Sequence, residues 1–235
     1  MTRRPDPSVG VFTTLLAEDG RAIALPAHVA RLAASVRELY GVTLDEDALD
    51  GHVLAAAGST DGLLRLRVSY RPAEAPDPIE VTATPLPERP RGPWHLVVRR
   101  VPGGWGAHKW LDRDLLASWT DPADPDLDPL LVDEHDQVLE TGRGNVFVVG
   151  EGRAATPPLD GRILPGVTRA AVLGVLDELG IEHEQHPVPL EEVRRADEMF
   201  VSNAVVGVCP VTSCEGVGSW PVGPVTRAVA EALGR

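Results

Sequence analysis

The sequence predicts a mixed α/β or α+β chain in two parts. Three observations lead there. Two stretches carry helical periodicity, they are set among mainly short strand-like runs, and a Pro-rich break divides the whole. Residues 10–19, GVFTTLLAED, read as a strand running into Asp19-Gly20, a hairpin turn signal. In LPAHVARLAASVRELYG, Val29, Leu32, Val36 and Leu39 fall on one helix face and Gly41 is the stop. LLRLRVSY (63–70) alternates apolar and basic residues as a half-buried strand does, and IEVTATPL (79–86) reads as another. TPLPERPRGP (84–93) has four prolines in ten residues. Proline removes donors and holds the chain extended, so this stretch predicts a linker. The expected organisation is a small α/β domain over 1–85, a linker over 86–93 and a larger domain over 94–235.

Beyond the break, TDPADPDLDP (120–129) predicts an acidic, solvated loop, since it lacks the glycine and terminal glutamate of a calcium-binding loop. VLE (138–140), NVFVVGEG (145–152) and AATPPL (154–159) predict short strands. From Thr168 to Gly180, Val172, Val175, Leu176 and Leu179 mark a helix with Thr168 as an early cap. MFVSNAVVGVCPV (199–211) reads as one buried strand-like run, and VTRAVAEALG near the end as a short helix. There are no internal repeats.

The 235 residues are 43% hydrophobic and 24% charged, ordinary globular usage with enough apolar material for a core. No apolar run approaches the roughly 20 residues of a membrane span. MTRRPDPSVG has no apolar region behind its arginines, so no signal peptide is expected and the cytoplasm is the expected location. Cys209 and Cys214 form a single C-x4-C pair, which predicts reduced thiols and no metal site. A formal net charge of -13 argues against nucleic acid. It leaves room for a small anion, which local arginines and a helix N-terminus can hold.

Three segments carry chemistry-bearing residues. Lys109 stands in GGWGAHKWLDR, where it is either a surface lysine with its stem on Trp110 or a functional amine. Glu140 opens ETGRGNVF at the end of a strand and either caps the turn or serves a site. LPGVTRAAVL delivers the chain through a Pro-Gly turn into a helix start, whose free N–H groups suit an anion or are simply an ordinary helix beginning.

In order and approximate spacing, GVFTT, HVARL, LLRLRVS, HKWLDR, ETGRGNVF, TPPLDGRILPGVTR and RADEMFVSNAVVGVCPV resemble the class-IV aminotransferase and aminodeoxychorismate lyase family of pyridoxal 5′-phosphate (PLP) enzymes. The resemblance runs from about residue 9 to the last helix. It implies the fold-type IV architecture, a small α/β domain followed by a larger barrel-like one, with PLP as cofactor and a homodimer as the working form. It implies that Lys109 carries the cofactor and that Glu140 pairs with its pyridine nitrogen. It further implies that Arg65, with Val167 and Thr168 at the helix start, holds the phosphate, and that Asn203 and Ala204 close the pocket. A pyridine proton fixed by a carboxylate makes PLP a better electron sink, and a lysine amine displaced by substrate becomes a general base.

Within the family, Thr13-Thr14, HKWLDR, Ser202-Asn203-Ala204 and Gly207 resemble 4-amino-4-deoxychorismate lyase more than the transaminases. The sequence begins shortly before GVFTT, and RPAEAPDP stands where lyases commonly have an Arg-Gly-rich loop. The implied reaction gives 4-aminobenzoate and pyruvate from a small anionic substrate. A transaminase for branched-chain or D-amino acids is the alternative, and an inactive binding module of the same fold the third. Arg67, Arg71, Arg113 and Arg143 are the candidates for the substrate carboxylates.

Overall fold

The structure, a computed structural model, describes residues 4–58, 61–74, 76–90 and 92–234. Met1–Arg3, part of the signal-peptide reading, and Arg91 in the Pro-rich stretch lie outside them. The described chain divides into two compact units: Arg4–Pro90 together with His108–Arg113, and the rest.

The first unit is a four-stranded antiparallel sheet under two helices. Strands β1 (Val11–Glu18) and β2 (Arg21–Ala22) form the hairpin that Asp19-Gly20 predicts. Helix α1 (Leu25–Tyr40) buries Leu25, Val29, Leu32 and Val36 and ends on Gly41 in the left-handed region (φ 69°), while Leu39 is half-buried. Helix α2 (Glu46–Ala57) was not legible: only Leu49, Val53 and Ala57 are buried, a stripe too narrow to stand out among acids and alanines. Asp45 caps it by accepting from Ala48 N–H at 3.0 Å. Strands β3 (Leu63–Tyr70) and β4 (Ile79–Leu86) complete the sheet in the order β2-β1-β3-β4. The alternation of β3 sends Leu64, Leu66, Val68 and Tyr70 inward and leaves Arg65 and Arg67 on the opposite face.

The segment His108–Arg113 groups with this first unit, although a linear partition of the sequence puts it in the second. The cause is backbone pairing. Phe12 N–H donates to Lys109 O at 2.8 Å, Leu111 N–H donates to Gly10 O at 3.0 Å, and Val11 bridges Trp110. Gly10 makes this possible: its φ is 112°, and a Cβ there would sit 2.0 Å from Tyr70 O.

The second unit is a ten-stranded, curled half-barrel sheet with helices against it. Its elements are β5 (Trp94–Arg100), a short α3 (Asp114–Ala117), β6 (Leu127–Val132), β7 (Gln137–Thr141), β8 (Asn145–Gly150) and β9 (Arg153–Thr156). There follow α4 (Val167–Glu178), β10 (His183–Gln185), β11 (Val188–Pro189), α5 (Leu190–Arg195), β12 (Glu198–Asn203), β13 (Gly207–Glu215), β14 (Gly218–Ser219) and α6 (Pro224–Ala232). The strand order is β10-β9-β8-β12-β13-β5-β6-β7-β11, with β14 on β13. Both faces are covered, which is why NVFVVG reads as a continuous apolar run. Val146 and Val148 face a core with Trp94, Leu130 and Val201, while Phe147 and Val149 pack with Phe200 beneath α4 and α6. The Phe147 and Phe200 rings stack at 4.9 Å.

Four expectations need correction. The acidic stretch is not a loop throughout: β6 begins at Leu127, and Asp128 is fully buried because Arg143 pairs with it at 3.1 Å and lies over Trp94 at 4.2 Å. Residues 199–211 are not one strand but the hairpin β12–β13, because Asn203 Oδ1 accepts from Val205 and Val206 N–H and turns the chain. Helix α4 has Gly166 as its N-cap, with Thr168 already inside the helix and buried. Leu179 is 44% exposed, since it lies past the last helical turn.

Neither Cys209 nor Cys214 is in a disulfide, and burial pushes both thiols up to about 12. Each is therefore neutral at pH 8 in the folded chain. We expect neither to react with an aromatic disulfide reagent at pH 8 until denaturant is added. Because the folded thiols titrate above the unfolded range of about 8.5, their contribution to stability is complete below that pH and is lost as pH rises toward 12. A guanidinium titration at pH 7 and pH 10 reads the difference. No helix among the described residues is long and apolar enough to cross a membrane, and no group of His, Cys, Asp and Glu among them could hold a metal.

Candidate active site

The first unit gathers cations around one phenyl ring. Lys109 is half-buried, and its Nζ lies 5.1 Å from the Phe12 ring centroid. The guanidinium carbons of Arg67 and Arg113 lie 4.5 Å and 6.0 Å from the same centroid. Next along β1, Thr13 is fully buried, and its hydroxyl meets His28 Nδ1 at 2.9 Å and accepts from Arg31 Nη2 at 2.9 Å. The neighbours of Lys109 are fixed as well: His108 Nδ1 is 3.0 Å from Ser35 Oγ, and its ring meets buried Trp110 edge-on. Arg65 is exposed on β3, opposite Leu16 and Thr84, on the face it shares with Arg67. Partial desolvation and then the charges of Arg65 and Arg71 hold the Arg67 guanidinium below its ordinary pKa.

The second unit brings the other predicted residues together. Glu140 on β7 is buried, and its Oε2 accepts from Leu164 N–H at 3.2 Å and stands 3.5 Å from Asn145 Nδ2. Asn145 Nδ2 also donates to Leu164 O at 2.9 Å. Two residues on, Gly166 starts α4 with no side-chain cap and no acidic residue in the first turn. Gly166 is required, because a Cβ there would sit 2.0 Å from Asn145 Oδ1. One short segment thus touches the buried carboxylate at Leu164 and begins a helix at Val167 and Thr168, whose first N–H groups lack helical acceptors. Opposite Asn145 on β12 stands Ser202, whose buried hydroxyl has no hydrogen-bond partner among the described residues. Asn203 and Ala204 follow at the mouth of the turn, half-buried, with the Asn203 amide oxygen engaged by that turn.

This donor set fits PLP. A buried carboxylate suits a protonated ring nitrogen, an uncapped helix start suits a phosphate, and an orphaned hydroxyl awaits an acceptor. Asn145 and Ser202 in this unit, and Arg31 in the first, were given no role of their own from the sequence: Arg31 lies in HVARL, Asn145 in ETGRGNVF and Ser202 in RADEMFVSNAVVGVCPV, motifs that carried the family order without assigning these residues.

The amino-transferase class IV family model matches residues 10–214. The chain belongs to the class IV aminotransferase family. A member of that family from Escherichia coli K12, a branched-chain-amino-acid aminotransferase, is 35% identical over 106 residues, 44% of this chain and 34% of that enzyme. The match thus spans about a third of the length of that relative. Among solved class IV folds, the 4-amino-4-deoxychorismate lyase of Pseudomonas aeruginosa is 27% identical, covering 99% of this chain and 94% of that one, with a TM-score of 0.76. An aminotransferase from Brucella abortus, bound to the co-factor PLP, shares the fold at 20% identity and a TM-score of 0.81, covering 99% and 93%.

Proposed function

We propose that this class IV enzyme is a PLP-dependent lyase that converts 4-amino-4-deoxychorismate to 4-aminobenzoate and pyruvate. The observation that carries the PLP reading is the buried Glu140 carboxylate, tied through Leu164 to the uncapped start of α4. When bound, PLP draws electrons from the substrate carbon that bears the amine. Lys109 carries the cofactor, and its amine takes the proton from that carbon and returns it to the departing enolpyruvyl group. Glu140 holds the pyridine proton, with Asn145 and Leu164 N–H keeping the carboxylate in place. Val167 and Thr168 supply main-chain and hydroxyl donors to the phosphate. Asn203 and Ala204 close the pocket, and the Ser202 hydroxyl is available to the same ligand.

For the arginine that reaches the phosphate, Arg31 stands beside Arg65, the residue the family resemblance implies. What supports Arg31 is its hydrogen bond to Thr13, adjacent to the Phe12–Lys109 backbone pair, whereas Arg65 is exposed further along β3. In the same proposal the enzyme works as a cytoplasmic homodimer, which light scattering at assay concentration reads.

The lyase branch is supported by likeness to a lyase over nearly the full length of both chains, and by the Ser202-Asn203-Ala204 turn. Gly207, which stands where branched-chain transaminases have glutamate near this turn, has φ 81°, a conformation that disfavours a side chain. Transamination of branched-chain or D-amino acids is the second reading, favoured by the 35% identity to the E. coli enzyme. The test is turnover without a keto acid. A lyase releases 4-aminobenzoate and pyruvate repeatedly from aminodeoxychorismate alone, because its cofactor is not converted to the amine form. Absence of aminobenzoate, together with amino transfer from leucine or alanine to a keto acid, would replace the lyase with the transaminase.

A further inference from the structure

The segment between β9 and α4, residues 157–166, has no helix or strand of its own, yet it carries the Leu164 N–H that donates to Glu140. A backbone donor in such a stretch is only as well placed as the stretch is held. The holding converges on Arg162. Its Nη1 donates to Asp133 Oδ2 at 2.6 Å, while its Nε and Nη2 meet Asp160 Oδ2 at 2.8 Å and 2.7 Å. Its carbonyl accepts from two successive N–H groups, Trp105 at 3.1 Å and Gly106 at 3.2 Å. Gly104 permits that approach, with φ 73° and a Cβ position 2.3 Å from the same carbonyl oxygen.

Asp133 supplies the other half. It is buried in the turn between β6 and β7, where its Oδ1 accepts from His135 N–H at 2.8 Å and Gln137 N–H at 2.9 Å. Gln137 opens β7, and Glu140 stands three residues along that strand. One carboxylate thus fixes the root of the strand that bears Glu140 and, through Arg162, the segment that bears its donor. All of these residues lie in the second unit.

We infer that Arg162 is a positioning residue for the reaction: it keeps Leu164 N–H on the Glu140 carboxylate and thereby sets how firmly the pyridine proton stays on the ring. The inference rests on the PLP reading above and adds a residue that acts through Glu140. The sign follows from elementary acid–base chemistry. A carboxylate that loses an N–H donor becomes more basic. Glu140 would then draw the proton toward itself, leave the ring less positive and make it a weaker electron sink.

The test is a double-mutant cycle on the PLP-loaded full chain, reading kcat, KM and the cofactor absorbance band. Arg162→Met is expected to lower kcat roughly three- to tenfold, the scale of one neutral hydrogen bond, with KM little changed. Its band moves in the direction that Glu140→Gln moves it. In the Glu140→Gln background the same substitution costs almost nothing further, because the route it acts through is already gone. Arg153→Gln, which breaks the exposed pair with Glu182, behaves as wild type. A folded Arg162→Met with wild-type kcat and band overturns the inference, and so does a loss that simply adds to that of Glu140→Gln. Because Arg162→Met leaves the buried Asp133 charge unpaired, Asp160→Asn provides a second route that frees the guanidinium on its exposed side only. It is expected to give a smaller change of the same sign, and an unmoved band there also overturns the inference. If wild type shows no borohydride-fixed adduct on Lys109, it is the PLP reading that fails, whatever Arg162 does.

Discussion

Replacing Lys109 with alanine lowers turnover by at least about a thousandfold and leaves no cofactor that borohydride can fix to the chain, because one amine holds the group and moves the proton. The fold survives the change. What straps this segment to β1 is backbone, the Phe12 N–H to Lys109 O bond and the Leu111 N–H to Gly10 O bond, neither of which needs the lysine side chain. Circular dichroism and the melting temperature are therefore expected to stay near wild type. Peptide mapping of the reduced wild-type protein should place the adduct on His108-Lys109-Trp110. An adduct on another lysine, or an alanine variant that turns over at the wild-type rate, would remove Lys109 from the reaction. Small primary amines added to the variant are expected to restore part of the proton transfer, which separates lost chemistry from lost structure.

Glu140→Gln is expected to cost one to two decades in rate with the cofactor still bound. Glutamine keeps an oxygen to accept from Leu164 N–H, so the start of α4 stays in place. What disappears is the charge that holds the ring proton, a hydrogen bond of roughly 1.5–3 kcal/mol, or about one to two factors of ten. Glu140→Ala is the harsher change. It takes the acceptor from Leu164 N–H, which is half-buried, at a further cost of up to about 1 kcal/mol. A falling melting temperature in the alanine variant alone would separate the two roles. The cofactor absorbance of Glu140→Gln also reports directly, since loss of the ring proton shifts the band. An unchanged band and rate would exclude Glu140 from the pairing.

The sequence was informative where local pattern and tertiary demand coincide. In β3 the apolar-basic alternation matched burial from Leu64 to Val68, because the apolar face of the small sheet is covered there and the arginine face is not; Ser69 is buried as well. In α1 the stripe from Val29 to Val36 and the stop at Gly41 were legible for the same reason. Reading failed where a partner distant in sequence supplies the stabilisation. Asp128 looked like a solvated loop acid, yet Arg143 and Trp94 allow it to be buried in a strand. Residues 199–211 looked like one run because apolar side chains dominate it, while the turn is closed by a polar group within it, Asn203. Thr168 had the chemistry of a cap, but the chain places Gly166 there, since only glycine fits against Asn145.

For the site, the sequence by itself determined the inventory: a lysine beside a Trp, a strand-end glutamate, a Pro-Gly helix start, and a motif order that names the family. Those are signals carried by neighbours along the chain. Only the tertiary structure decided which unit holds Lys109, because that depends on backbone pairing with a strand about a hundred residues earlier. It likewise separated the arginines. Arg143 is spent on Asp128, Arg71 on Glu74 and Glu80, and Arg67 shares the Phe12 ring with Lys109. An arginine's side chain is long and charged in every context, so its composition says nothing of its partner. The partner is set by which strands and turns the fold brings within a few ångströms.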